Sequence, residues 1–548
     1  MTTHARSFGR GARVGTALAL GAATAMAVTT LTAAPARAAG FTVTNLNDGG
    51  AGSLRDALDQ ANNAAGPDTV TFAPGLTGTI QLTSGQLEVL DGTTIVGPGR
   101  TALVLDALGA DRVMDINGVT GDIVSISGLT LSRGQTGGDG AGIRLQDADL
   151  NLTDVGIRLS RTTGRGGGLA VDGGGRVRLR RTFVTNNGAD QGGGGIYVDG
   201  APELTLESSD VSTNTSGRDG GGLLLHSLGN AGGEGAAISG TTVAGNIAAR
   251  NGGGLADDET DPADFPTVIS NTTIAANRVN GTGGGVWLQD GQTPADTTTF
   301  VASTIAGNTA SGVGGIVGQT SRKVLQDTVV ADNTGADLGL AAPGDPAFEL
   351  DHSLVESPAP GSFAVVAAAI VGKDPLLGPL ADNGGGLATM APAYASPLVD
   401  HGQAFGLTVD ERGLPRPVNL KSFGNAAGGD GSDIGAVELS RLSCQGKEAT
   451  IVARAGFRTR GTAKNDVIVG TAGNDRITAK GGNDRVCALA GNDRVSGNGG
   501  NDSLKGGGGK DRLSGGGGND KLRGGGGKDH VDGGPGHDNV HSRAVRAD

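Results

Sequence analysis

Short apolar runs, cut by glycine, asparagine and threonine, fill the middle of the chain and recur in step. A glycine cluster followed by an aliphatic residue returns at Ile143, Leu169, Ile196, Leu223, Leu255, Val286 and Ile316, at intervals of 26 to 32 residues. A second landmark runs alongside it in FVTNN, VSTN, TVAGN, TIAAN, TIAGN and VVADN, with Asn186, Asn214, Asn246, Asn277, Asn308 and Asn333. Short β-branched runs with these breakers are strands with tight turns, not helices. A period near thirty, with about three strands per turn, predicts a right-handed parallel β-helix whose inward aliphatics stack from coil to coil. The asparagines are expected to form an internal amide ladder, a structural role that satisfies turn backbone.

Near the C-terminus the period shortens to nine. Aspartates stand at Asp466, Asp475, Asp484, Asp493, Asp502, Asp511, Asp520, Asp529 and Asp538, each followed two places later by an aliphatic, from Ile468 to Val540. From Asp475 onward a glycine stands two places before each, from Gly473 to Gly536. A disordered glycine-rich tail has no reason to hold three residue types in phase. Strand alternation turns the aliphatic inward to a thin core, and glycines allow tight loops with carbonyls turned toward a site. A carboxylate supplies the hard oxygen that calcium prefers. Early copies (TAKND, TAGND, ALAGND) lose glycines, so their sites are weaker.

This stretch resembles the RTX nonapeptide repeats, Gly-Gly-x-Gly-x-Asp-x-aliphatic-x. The resemblance implies a parallel β-roll that binds Ca2+, with ions between loops eighteen residues apart. Carried onto this chain, the metal ligands are Asp475, Asp484, Asp493, Asp502, Asp511, Asp520, Asp529 and Asp538, in pairs that run from Asp466/Asp484 to Asp520/Asp538. Without calcium the stacked carboxylates repel, so folding and binding are expected to be one event, at about 10⁻⁴–10⁻³ M as in extracellular modules. The β-helix is expected to fold without it.

The ends of the β-helix also look familiar. FTVTNLNDGGAGSLRDALDQANNAAGPDTVTF, from Phe41 to Phe72, resembles the opening of secreted bacterial β-helix proteins of the CSLREA type. Within it, Ser53 followed by Leu54–Asn63 reads as an N-capped amphipathic helix that closes the solenoid's open end. DPLLGPLADNGGGLATMAP, DERGLPRP and DIGAVEL, between Asp374 and Leu439, resemble the choice-of-anchor Q segment that ends many such proteins. The predicted fold is therefore all-β: a right-handed parallel β-helix of the pectin-lyase-like kind, residues 39–440, followed by a calcium-binding β-roll, residues 441–548.

Arg6, Arg10 and Arg13 precede an apolar run from Val14 to Leu31 and then Ala36-Arg37-Ala38, which reads as a signal peptide, residues 1–38, cut after Ala38. No other stretch is apolar enough to span a bilayer. The expected location is secreted, extracellular or loosely held at the cell surface. Removing the leader's four arginines, with no acid among them, takes the formal charge from −13 to −17. That balance argues against nucleic acid or anionic membrane as partner. Cys444 and Cys487, an even pair in a secreted chain, suggest one disulfide.

Catalytic candidates are few. β-Helices host polysaccharide lyases, hydrolases and epimerases, but fold alone shows no activity. Lyase chemistry needs a base, an acid and a neutraliser for the uronate carboxylate. The chain offers Tyr197, Tyr394 and scattered histidines, among them His226, Asp351-His352 and His401, which read more readily as loop or core residues. Strand alternation places Arg176, Arg178 and Arg180 outward on one face, and Arg181 in the inward phase unless the strand ends before it. Asp257, Asp258, Glu259, Asp261 and Asp264 form an acidic insertion between coils, either another calcium loop or, the favoured reading, a polar excursion. Three readings stand. One is a non-catalytic calcium-dependent protein whose faces bind a glycan, matrix or cell-surface component. The second is a polysaccharide lyase or epimerase with an accessory roll, and the third a structural biofilm-matrix protein.

Overall fold

The computed structural model describes residues 38–118, 121–173, 175–228, 235–258, 266–289, 297–420, 423–453 and 456–541. The leader, residues 1–37, and the excursion acids Glu259, Asp261 and Asp264 lie outside the described residues. No described helix is long and apolar enough to cross a membrane.

The glycine-aliphatic landmarks form one column of the β-helix. Ile143, Leu169, Ile196, Leu223, Leu255, Val286, Ile316 and Leu338 are parallel partners in unbroken register, all buried. Three further strands complete a coil, as do Glu203–Glu207, Asp210–Ser212 and Thr215–Ser216; the columns of the first two and the landmark column form three walls around a continuous apolar interior from Val43 to Val355. Each fully buried aliphatic contributes about 1.5–3 kcal/mol by leaving water. The glycines have a steric reason. Gly166, Gly193, Gly220 and Gly252 hold φ of +58° to +63°, and a Cβ there would lie 2.2–2.4 Å from the carbonyl oxygen three residues on. Only glycine fits such a turn.

The amide ladder exists with one change of member. Asn187, not Asn186, precedes Asn214, Asn246, Asn277, Asn308 and Asn333. Asn186 instead takes the left-handed turn (φ 58°) that Thr213, Gly245, Ala276, Gly307 and Asp332 take in other coils. From Asn187 to Asn308 each Nδ2 donates both to the next coil's Oδ1, at 2.9–3.1 Å, and to a backbone carbonyl of the preceding coil, and the last, Asn333, donates to Asp337 Oδ1 at 2.8 Å. A parallel ladder of hydroxyls, including Ser209, Ser303, Thr328 and Ser353, accepts backbone N–H groups at another corner.

Helix Leu54–Asn63 closes the first coil. Ser53 caps it by accepting from the Asp56 N–H, and Leu54, Ala57, Leu58 and Ala61 face the core. The closing segment does not simply cover the other end. It returns along the outside wall, where the Glu411 carboxyl accepts from the Thr242 and Thr273 hydroxyls and the Ala436 N–H bonds Thr304. Those three threonines belong to one outward column. Arg416, fully buried, bonds Glu438 at 3.0 Å and faces Asp327 at 3.6 Å, which ties the segment to the wall.

The nonapeptides form two parallel sheets, one from Ile451–Val452 to Asn539–His541 and one from Arg458–Arg460 to His530–Asp532. Successive repeats alternate between them, so each strand pairs with the one eighteen residues away. The core is two facing columns, Ile468, Val486, Leu504 and Leu522 from one sheet and Ile477, Val495 and Leu513 from the other, with Ala479 and Ala488 beside them. Val540, in the last described strand, is exposed. Cys444 and Cys487 are joined, which fastens the lead-in hairpin over the first turns.

Candidate calcium-binding site

The phase of the repeat turns each aspartate into the roll, opposite its exposed neighbour. Asp475, Asp484, Asp493, Asp502, Asp511 and Asp520 are almost fully buried, whereas Asp529 and Asp538, in the last described turns, are half-buried. Their Oδ1 atoms form a ladder. The Asp466 N–H donates to Asp484 Oδ1 at 2.7 Å, and the pattern repeats every eighteen residues to Asp520 N–H and Asp538 Oδ1. The second oxygen has no such use. Oδ2 of Asp484, Asp493, Asp502, Asp511, Asp520 and Asp529 is buried without a hydrogen-bond partner.

A buried carboxylate oxygen without a partner costs several kcal/mol, by about the effective penalty for an ion in a protein interior. Burial raises the Asp484 and Asp493 carboxyls to about 6, and the stacked neighbouring carboxylates push the same way, against one backbone hydrogen bond. Asp502, Asp511 and Asp520 are raised for the same reasons. A cation is the natural partner for this column. Space is kept for it: a Cβ on Gly497, Gly506, Gly515, Gly524 or Gly533 would lie 2.1–2.4 Å from the Oδ2 of the aspartate five places on. No cluster of three or more His, Cys, Asp or Glu side chains suits a metal among the described residues. Carboxylate oxygens would therefore be supplemented by carbonyls of the glycine loops, a donor set that suits calcium.

The profile of the family described as the RTX calcium-binding nonapeptide repeat matches residues 460–495, 488–522 and 505–540. These are RTX calcium-binding repeats. The profile described as a right handed beta helix region matches residues 115–334. Among solved structures, the crystal structure of pectate lyase Pel9A is 14% identical, covering 73% of this chain and 96% of that one, with a TM-score of 0.41. That likeness is too distant to bear on activity. No curated protein matches the chain.

The RTX roll is graded along its length. Asp466 and Asp475 differ from the rest. Their Oδ2 atoms accept from the Thr462 and Thr471 amides, both at 2.6 Å, and from the same threonines' hydroxyls. Asp475, a metal ligand by the RTX resemblance, thus also accepts hydrogen bonds from its own turn. In the next three copies Lys480, Leu489 and Asn498 occupy positive φ (75–81°) where later copies have Gly507, Gly516 and Gly525. A second ladder escaped the spacing argument. Asn465, Asn474, Asn483, Asn492, Asn501 and Asn519, one place before the aspartates, accept from the backbone N–H eighteen residues on. Its signal was the recurrent Asn-Asp pair.

The β-helix candidates disperse into structural roles, with one exception. His352 is buried, bonded to Asp351 and the Ala427 carbonyl, and His401 bonds the Val399 carbonyl. Strand Val177–Arg180 ends before Arg181, which is exposed at φ +48°. Arg176 and Arg178 pair with Glu203 and Arg180 with Glu207. Asp257 is buried and accepts from Thr267. The exception is a cluster on the outside of the landmark sheet. Tyr197 hydroxyl donates to Asp199 at 2.9 Å and meets Arg165 at 2.7 Å, and His226 Nδ1 lies 2.9 Å from Asp258. Asp172, Asp199 and His226 stand on consecutive coils in register. The Asp258 bond, first among its causes, raises His226, while burial raises Asp172.

Proposed function

We propose that the protein works outside the cell as a calcium-dependent binding protein. Residues 1–38 direct export, residues 39–440 form a calcium-independent β-helix, and residues 441–548 form a roll that folds as it takes up calcium. The wall of the β-helix then presents faces to a glycan, matrix or cell-surface partner. The observation that carries the calcium part is the column of six buried, unpartnered Oδ2 atoms. Where free calcium is low those charges keep the roll open, and where it is high they bind and close it. Asp484, Asp493, Asp502, Asp511, Asp520 and Asp529 would hold the ions. The test is a calcium titration of the full chain by calorimetry and far-ultraviolet circular dichroism. Uptake of several ions with a gain of β-signal supports the reading, and a flat response at millimolar calcium refutes it.

A second reading rests on the Arg165–Tyr197–Asp199–His226–Asp258 cluster, which gathers carboxylates, a phenol, an imidazole and a cation on one outward face. These are the group types that a polysaccharide lyase or epimerase requires. New unsaturated ends or altered stereochemistry in polyuronates, abolished by His226→Ala and Tyr197→Phe, would establish it. Unaltered polyuronates would leave the cluster as wall structure.

A further inference from the structure

One face of the roll carries a row of positive charge that the calcium reading does not use. Arg458, Arg476, Arg494 and Arg512 are successive register partners on one sheet, followed by His530. All five are exposed. Rungs of a parallel sheet lie about 4.8 Å apart, so four guanidinium groups stack in single file at that spacing. Like charges directly opposite one another on neighbouring strands are destabilising, and a natural surface would alternate the signs. The β-helix does so: Arg176, Arg178 and Arg180 face Glu203 and Glu207 on the next coil. Among the described residues, none of the four roll arginines has a carboxylate partner.

The neighbouring column adds hydroxyls. Two places along each strand, and on the same face, stand Arg460, Thr478, Ser496, Ser514 and Asp532, again in register. Arg458, Arg476, Thr478, Arg494, Ser496 and Arg512 line a groove of about 460 Å³. The opposite sheet has no such row, since its equivalent positions read Val467, Arg485, Ser503, Lys521 and Asn539.

We propose that this groove binds a linear acidic polysaccharide, whose successive carboxylate or sulfate groups pair with successive arginines while its hydroxyls meet Thr478, Ser496 and Ser514. Guanidinium forks recognise such anions in bidentate fashion. The strip is narrow, two side-chain columns that run from strand to strand, which fits an extended polymer rather than a membrane plane. Its two columns contain no Phe, Tyr or Trp on which single-stranded nucleic acid could stack, and His530 stands only at one end. The proposal rests on the reading that calcium folds the roll, because the arginines fall into file only when the strands pair. Binding to this face should therefore appear with calcium.

The test uses the full chain, a fluorescent heparin oligosaccharide as probe, neutral dextran as control, and circular dichroism on the same samples. In calcium the protein is expected to bind heparin and not dextran, with affinity falling as salt rises. The variant Arg476→Gln, Arg494→Gln, Arg512→Gln should bind at least tenfold more weakly with an unchanged calcium-dependent β-signal. Arg176→Gln, at a paired arginine, should bind as the parent does. Equal binding by the triple variant and the parent overturns the proposal, as does a preference for single-stranded DNA or anionic vesicles over heparin. Failure of the roll to gain structure in calcium removes the strip with it. If the roll is folded and binds heparin equally in chelator, the calcium reading fails and the strip stands.

Discussion

The β-helix and the roll solve one problem with two nearly isosteric side chains. Both are parallel solenoids, and both need a polar ladder at the corner where the chain turns inward. In the β-helix the ladder is asparagine, whose Nδ2 donates to the next amide and to a backbone carbonyl while Oδ1 accepts. It is complete within the protein. In the roll it is aspartate, whose Oδ1 accepts a backbone N–H and whose Oδ2 is left buried and unpartnered. The change from amide to carboxylate makes the structure depend on something from solution. Core thickness reinforces the contrast, since three walls of apolar side chains support the amides and two thin facing columns support the carboxylates. A neutral ladder makes a permanent wall, and a charged one makes a conditional structure.

The sharpest way to break the comparison is to give the β-helix the roll's ladder. Asn246→Asp places an unpaired charge at a fully buried position between Asn214 and Asn277. It should cost about 3–5 kcal/mol, the penalty for an uncompensated buried charge. Trp287, the only tryptophan, is buried on the β-helix, so its fluorescence during denaturation reads that region alone. An unchanged midpoint would show that the amides are replaceable. Within the roll, Asp511→Ala with Asp520→Ala should raise the calcium needed for half-folding by about tenfold or more, equivalent to 1.4 kcal/mol. Circular dichroism at fixed protein concentration reads that midpoint. Asp475→Ala should move it by less than half as much, because Thr471 already serves that carboxylate. Equal shifts from the two ends would erase the grading along the roll.

Much of this was legible in sequence, for physical reasons. Periods of about thirty and of nine residues report stacking directly, so the aliphatic column from Ile143 to Ile316 and the aspartate file were visible without coordinates. What escaped depends on turn geometry or on distant contact. Asn186 and Asn187 differ only in which takes the left-handed turn, and aligning each asparagine on its preceding aliphatic, such as Val184 with Val211, would have chosen correctly. The return of Asp374–Leu439 along the outside wall has no local signal, since Glu411 meets Thr242 and Thr273 from more than a hundred residues away. The capping of Asp475 by Thr471 was written in the TAGND copy, where loss of glycine also brings a replacement donor. The His226–Asp258 pair appears only when two coils are stacked.

A separate effect concerns pH. Burial raises Asp337, at the end of the amide ladder, and Asp400, in the closing segment, to about 6. Glu411 is driven further in the same direction by burial, against its threonine hydrogen bonds. A carboxyl raised in the folded state stabilises the fold fully below its unfolded value of 3.8 and loses that contribution as pH rises through about 6. Thermal melts followed by Trp287 fluorescence in chelator should therefore fall by a few degrees between pH 5 and pH 8, on the scale of about 2–4 °C per kcal/mol for larger domains. A melting point that rises over that interval would show that these carboxyls are not held in their neutral form.

Hydrogen exchange on the full chain, in calcium and in chelator, tests the contrast most directly, because it reads both ladders in one sample. The account predicts that strands from Arg485–Ala490 to Lys521–Gly526 are protected in calcium and exchange freely in chelator. Strands from Ile143–Gln146 to Leu338–Leu340 should be equally protected in both. Protection of the roll that survives chelation would contradict the claim that its carboxylate ladder needs a metal.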